Sequence, residues 1–225
     1  VRELAERYYG PLAVHELPAR ERVGEPHHWA PQRVELSSAN VGQPSLSIAY
    51  LAPGHNAGHN EDKPGQSEAL EVLDEILSGT TGRLYRALVV EGKLAAGAGV
   101  SYDPNRLDLS NLTFWASPRP GGDLAGLEAA LRAEIAKLLD KGVTAEEVEN
   151  AKRRLIDEAV FARDDITQAP HLIGRALVTG QSVEVFESWP ERIQAVTAEQ
   201  VDAVLRAVLR DENSVTGVLQ GKSTS

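Results

Sequence analysis

Cysteine is absent from this chain of 225 residues. That excludes a disulfide framework, a thiolate nucleophile and a thiolate-bound metal, and it fits any compartment. Methionine is absent too, position 1 included. A natural start carries an initiator Met unless it is trimmed, so the chain is expected to be a fragment or mature piece of a longer polypeptide, and a signal peptide upstream would be invisible. Positive charge is in deficit: Lys and Arg number 23 against 33 Asp and Glu, a net charge of −10. A nucleic-acid-binding face needs a clustered excess of Lys and Arg, so no nucleic-acid partner is expected. No apolar run approaches the roughly 20 residues of a membrane span. A Gly-x-Ser-x-Gly elbow is missing, and so is the Gly-x-x-x-x-Gly-Lys-Ser/Thr loop of nucleotide hydrolases.

What is present suits a globular fold. Hydrophobic content of 42% and charged content of 25% are ordinary, and the length allows one well-buried domain or two small ones. Val1–Tyr9 has Leu4 and Tyr8 at helical spacing and ends at Gly10-Pro11. Residues 13–31 are rich in Pro, Arg, Glu and His without periodicity and are read as a linker. Gln32–Ser38 and Ser45–Ala52 alternate apolar and polar residues as strands do, with Val34/Leu36 and Leu46/Ile48/Tyr50 as the apolar sets. Pro53–Gly65 is a polar loop holding His55, His59, Glu61 and Asp62. Pro64–Ser78 carries Leu70, Leu73, Ile76 and Leu77 on one helical stripe.

At Ile76–Ala96 one helix ends near Gly79, a Gly/Thr turn follows, and a second helix with Leu84 and Leu88 begins at once. Leu94–Tyr102 and Leu107–Ser117 are expected to form a hairpin around Asp103-Pro104-Asn105. Asp123–Lys141 follows a helical period through Leu124, Leu127, Leu131, Ile135 and Leu138, and Gly142 stops it. Thr144/Glu147 and Thr197/Gln200, each flanked by Val, are capping boxes with hydrophobic staples. Asp165–Thr179 and Ser182–Ala195 read as shorter helices split by Gly180, and Asn213–Leu219 as a closing strand. Hairpin strands mixed with long helices indicate an α+β two-layer sandwich, with a mixed or antiparallel sheet carrying helices on one face.

The wording of Leu77–Leu88, Leu-Ser-Gly-Thr-Thr-Gly-Arg-Leu-Tyr-Arg-Ala-Leu, resembles a signature in the second domain of zinc metallopeptidases of the pitrilysin/insulinase type, which include the mitochondrial processing peptidases. The Gly142-Val143-Thr144 junction and the Trp189–Thr197 run extend the likeness over most of the chain. The resemblance implies the same fold class. It also implies that residues 1–12 close a preceding domain, that 13–31 link it, and that 32–225 form the second, non-zinc domain. Peptide hydrolysis in that family uses His-x-x-Glu-His on a helix of the other domain, where two His hold zinc and the Glu activates water. That motif is missing here.

The nearest string is His55-Asn56-Ala57-Gly58-His59 followed by Glu61. Its glycines and prolines disfavour a helix, so His55, His59 and Glu61 are read first as a solvated loop and only secondarily as a metal site. His171, after Pro170, is read as a cap or a partly buried side chain. The family's non-zinc domain helps to hold substrate through an Arg and a Tyr in Leu-Arg-x-x-x-Gly-Leu-Ala-Tyr. The matching positions hold Val89 and Ala96, neither of which can donate a hydrogen bond. Arg86, one turn earlier, is a weak substitute. No catalytic residue is therefore expected in this chain. The resemblance implies a peptide-chamber half that partners a zinc-bearing domain or subunit, with zinc on that partner. A catalytically inactive scaffold in a larger complex is the other reading. Bacterial relatives are often exported, so the periplasm is the expected compartment, with cytoplasm or mitochondrial matrix as alternatives.

Overall fold

Helix starts fix much of the architecture. The Thr197 side chain accepts the Gln200 N–H while Gln200 reaches back to the Thr197 N–H. Thr144 and Glu147 do the same at 2.8 and 3.2 Å, and Asp123 accepts the Ala125 N–H. Each such cap satisfies donors that a helix end otherwise leaves unpaired, for about 1 kcal/mol. The computed structural model describes residues 1–13, 26, 28–56, 65–162 and 168–222.

In order, the elements are α1 (Arg2–Tyr9), β1 (Gln32–Ser38), β2 (Ser45–Ala52), α2 (Gln66–Leu77), α3 (Arg83–Tyr85), β3 (Ala95–Tyr102), β4 (Ser110–Pro118), α4 (Leu124–Lys141), α5 (Ala145–Ala162), α6 (Gln168–Val178), α7 (Val183–Glu187), α8 (Trp189–Gln194), α9 (Ala198–Val208) and β5 (Ser214–Gly221). The five strands form one sheet in the order β1-β5-β2-β4-β3. β1 and β5 run parallel and the other pairs antiparallel, which makes the sheet mixed. α2, α4 and α9 lie against one face, and α5 and α8 pack on α2. The chain is thus an α+β two-layer sandwich. Its core is the inward set Leu46, Ile48, Tyr50, Leu112, Phe114 and Val218 closed by leucines of the helices. Phe114 is fully buried and meets the Tyr50 ring edge-on at 6.0 Å.

Four local expectations change. The second helix of the Gly/Thr junction is one α turn followed by a π turn, Arg86–Glu91, where Gly92 N–H donates to Ala87 O at 2.8 Å. This wider turn still buries Leu84 and Leu88. β4 begins at Ser110 rather than Leu107, because Asp103 and Pro104 spend their carbonyls on Ser110 Oγ and His55 N–H instead of a tight hairpin turn. The single helix read over Ser182–Ala195 is two, α7 and α8, meeting at Ser188. Pro190 lacks the N–H that would continue the first helix, and its ring clashes with the carbonyl four residues back. Finally, the apolar set of β1 is open: Val34 and Leu36 are 62% and 60% exposed. No residue of α1 is buried, and its Leu4, Tyr8 and Leu12 are exposed.

Candidate functional site

The signature stretch carries two positions of interest. Val89 lies at the π turn, half-buried and packed on the core, and only its carbonyl is polar, accepting Arg119 Nη2 at 3.3 Å. Ala96 is exposed where β3 shifts register between Ala95 and Gly97. Arg86 is exposed and paired with Glu91 at 2.7 Å. Arg83 is committed to Glu147 through two guanidinium nitrogens and donates to Gly142 O at 3.0 Å. The structure therefore shows an alkyl group at Val89 and a methyl at Ala96, with Arg86 turned to its own acidic neighbour.

A second cluster is buried under the loop that follows β2. His55 was expected in a solvated loop, yet its side chain is 5% exposed. Its N–H is anchored on Pro104 O at 2.9 Å, and the ring is held between residues of α2. Nδ1 lies 2.9 Å from Ser67 Oγ, and Nε2 lies 3.5 Å from Glu71 Oε1. Ser67 donates to Glu68 Oε2 at 3.0 Å, and Arg192 of α8 grips Glu68 Oε1. Trp189 Nε1 donates to Glu71 Oε2 at 2.9 Å.

Burial sets the charges here. It pushes His55 down to about 4, more than the Glu68 charge pulls it up. It pushes Glu71 up to about 8, outweighing the Trp189 hydrogen bond. Asp74, one turn on, rises to about 6 for the same reason, against its bond from Ser78. At neutral pH Glu71 keeps its proton and His55 is neutral. One assignment of hydrogens is consistent with these contacts, although Glu71 Oε1 and Arg192 Nε stay without a hydrogen-bond partner. Glu71 O–H faces His55 Nε2, His55 Nδ1–H donates to Ser67 Oγ, and Ser67 O–H donates to Glu68, whose charge Arg192 balances.

That polarity, set by the Ser67 donation to Glu68, is the reverse of an activated serine's. In a Ser-His-acid arrangement the hydroxyl gives its proton to the imidazole; here Ser67 accepts from the ring and gives its proton to a carboxylate. The cluster does not fit a zinc ion either, since both His55 nitrogens are engaged and, among the described residues, no group of three or more His, Asp or Glu could hold a metal. His59 and Glu61 of the secondary metal reading lie outside the described residues. His171, read as a cap or partly buried, is exposed on α6. Sequence reasoning missed Glu68, Glu71, Trp189 and Arg192. The signal was two carboxylates three apart on the buried side of α2, together with the Trp and Arg of the Trp189–Thr197 run.

Comparison with known proteins completes this picture. The chain has the fold of a protease from Helicobacter pylori (TM-score 0.85, 18% identity), covering 97% of this chain and 51% of that one. It has the fold of a peptidase M16 inactive domain from Pseudomonas fluorescens (TM-score 0.68, 20% identity, 92% of this chain and 46% of that one). The periplasmic protease PqqL from Escherichia coli matches as well (TM-score 0.70, 16% identity, 98% and 24%). The chain thus spans about half the length of the first of these, at 51%. No curated protein matches. No helix among the described residues is long and apolar enough to cross a membrane. The model of the peptidase M16 inactive domain matches residues 1–155, and with that match the chain belongs to the peptidase M16 inactive-domain family.

Proposed function

We propose that this chain is the non-catalytic half of a zinc metallopeptidase. It forms part of the wall of a substrate chamber and pairs with a His-x-x-Glu-His domain or subunit that hydrolyses the peptide. The observation that carries the reading is the family match over residues 1–155, in a chain whose two donor positions hold Val89 and Ala96. In this reading zinc belongs to the His-x-x-Glu-His partner, as in the family the chain resembles. α1, with no buried residue, suits the end of a preceding domain, residues 13–31 the linker, and 32–225 the domain itself. The periplasm is the proposed compartment, in line with the periplasmic protease PqqL among the similar structures.

The apolar side chains at positions 89 and 96 also favour a second reading, an inactive scaffold subunit of a larger complex. One experiment separates the two. The chain is purified alone and after co-expression with a zinc-motif half encoded with it, and zinc content and peptide hydrolysis are measured. The chamber reading expects no zinc and no hydrolysis from the chain alone, and activity of the pair that drops on its removal. Stoichiometric zinc and unaided cleavage would overturn both readings. A pair as active as the zinc half alone would favour the scaffold.

A further inference from the structure

From Gln168 to Glu187 only Ala176 and Gln181 are buried, whereas α2 buries Leu70, Leu73, Ile76 and Leu77. Helix α6 packs chiefly on α7, which buries nothing of its own, and it leaves Leu172, Leu177 and Val178 exposed. Apolar burial therefore holds α6 weakly, and polar ties do the rest. Arg175 pairs with Asp103, the Thr179 carbonyl accepts Asn56 Nδ2 at 2.6 Å, and Gln181 Nε2 donates to Asn105 Oδ1 at 2.9 Å.

The landing points of these ties converge. The loop after β2 meets the loop between β3 and β4 where His55 N–H donates to Pro104 O at 2.9 Å. Asn56 adjoins His55, and Asp103 and Asn105 adjoin Pro104 on either side. All three ties thus fall on residues next to one end or the other of that hydrogen bond. The two loops approach closely at Gly54, where a Cβ would stand 3.0 Å from the same Pro104 oxygen. On the strand side of the junction Tyr102 Oη donates to Pro53 O at 2.5 Å, and α6 supplies the ties on the other side. Arg175 and Asp103 are 52% and 28% exposed, so salt screens their attraction. A segment with little buried apolar surface, held by partly exposed polar bonds, opens more readily than the sheet and its helices.

We propose that α6 is a salt-sensitive strap that opens as a unit and, in closing, clamps the two loops so that His55 stays seated on α2. Closed, it fixes Asn56 on one side of the junction and Asp103 and Asn105 on the other, and His55 N–H keeps its acceptor. Open, the junction loses all three ties, and His55 N–H exchanges with water. The strap needs neither zinc nor a partner half, so the chamber reading is independent of it.

Native-state hydrogen exchange of the 225-residue chain, read by NMR, is the test. The Leu172–Val178 amides are expected to exchange together, at least about a hundredfold faster than Leu70–Leu77 and with a much shallower urea dependence. Raising NaCl from about 20 mM to about 500 mM should speed these amides and His55 N–H alike, at least about threefold. Arg175→Gln should speed both about tenfold at low salt and abolish the salt response, with Arg175→Lys falling between. The β1 amides, at the far edge of the sheet and open to local fraying, should not respond. An α6 that exchanges as slowly as Leu70–Leu77, or with as steep a urea dependence, belongs to the core and overturns the strap. A His55 N–H that keeps its rate in Arg175→Gln overturns it as well, because the ties then hold nothing at the junction. An equal response of β1 makes the effect global and has the same consequence. Should the variants fail to fold, the salt series on the parent chain decides, and an unresponsive His55 N–H ends the proposal.

Discussion

Ser78 closes the outer edge of β3 at Val100. Its Oγ accepts the Val100 N–H at 3.2 Å, while its single proton lies between two acceptors, the Val100 carbonyl at 2.8 Å and Asp74 Oδ1 at 2.9 Å. An edge strand left open is a template for pairing with another chain. Ser78→Ala leaves the Val100 N–H without its acceptor under the end of α2 and removes the proton shared by Asp74 and the Val100 carbonyl, and the expected loss is about 1–3 kcal/mol of stability. Urea unfolding measures it. Val100 is the marker: its amide should exchange with solvent faster in the variant. Unchanged exchange would show that the hydroxyl contributes nothing at this edge.

The Glu68–Arg192 pair ties α2 to α8 with Glu68 only 2% exposed. Removing one member leaves a buried charge alone, and removing both does not. Arg192→Met is therefore expected to cost about 3 kcal/mol or more, while Glu68→Gln with Arg192→Met costs clearly less than the sum of the singles. Denaturant midpoints of the four proteins form the cycle. Additive singles would mean that solvent, not Arg192, carries the Glu68 charge.

His55 and Glu71 act as a pair that holds one proton. Unfolded, they titrate near 6.5 and 4.5; folded, near 4 and 8. The raised Glu71 value stabilises the fold at low pH and that share fades as pH rises. The lowered His55 value stabilises it at high pH and that share fades as pH falls. Between pH 4.5 and 6.5 the two offset, because folded and unfolded chains each hold one proton. From 6.5 to 8 only the folded chain holds it, so stability falls as pH rises, by about 2 kcal/mol. The groups facing the pair are Glu68 and Asp74 of α2, Asp103 and Tyr102 at the end of β3, and Arg192 of α8. Unfolding at pH 5.5 and pH 8 measures the drop; in Glu71→Gln, which has no proton to lose, only the His55 share remains, so the drop should give way to a rise between pH 5.5 and 6.5 and no change above it. A drop of the same size in that variant would assign the effect elsewhere.

These two buried pairs mark where sequence reading stopped. Strand limits at Gln32–Ser38 and Ser45–Ala52 and both Thr capping boxes were legible, because alternation and caps are local signals within a few residues. The fate of His55 was not. Its partners Ser67, Glu68 and Glu71 are a loop away, and Arg192 comes from α8, so nothing near His55 in sequence separates a buried imidazole from a solvated one. The same limit applies to Val34 and Leu36. Their alternation identified a strand, but which face the helices cover is settled only by β5 arriving from the far end of the chain.

Gly142 and Gly79 contrast a glycine-only backbone under a steric clash with a positive-φ backbone in open space, since Gly142 has ψ −155°. Both have positive φ, +66° and +73°. A Cβ at Gly79 meets nothing within 4 Å, whereas at Gly142 it would stand 2.5 Å from Asp202 Oδ1. That same oxygen accepts the Val143 N–H at 3.0 Å, and the Gly142 carbonyl accepts Arg83 Nη1 at 3.0 Å. Gly79→Ala is then expected to cost about 1–2 kcal/mol, the left-handed backbone alone. Gly142→Ala carries the strain of a glycine-only backbone together with the displaced Asp202 and the orphaned Val143 N–H, for about 3 kcal/mol or more in total. Paired urea midpoints check the order. Equal losses would mean that Asp202 moves aside freely and that the link from α4 through Gly142 to α9 does not hold this corner of the fold.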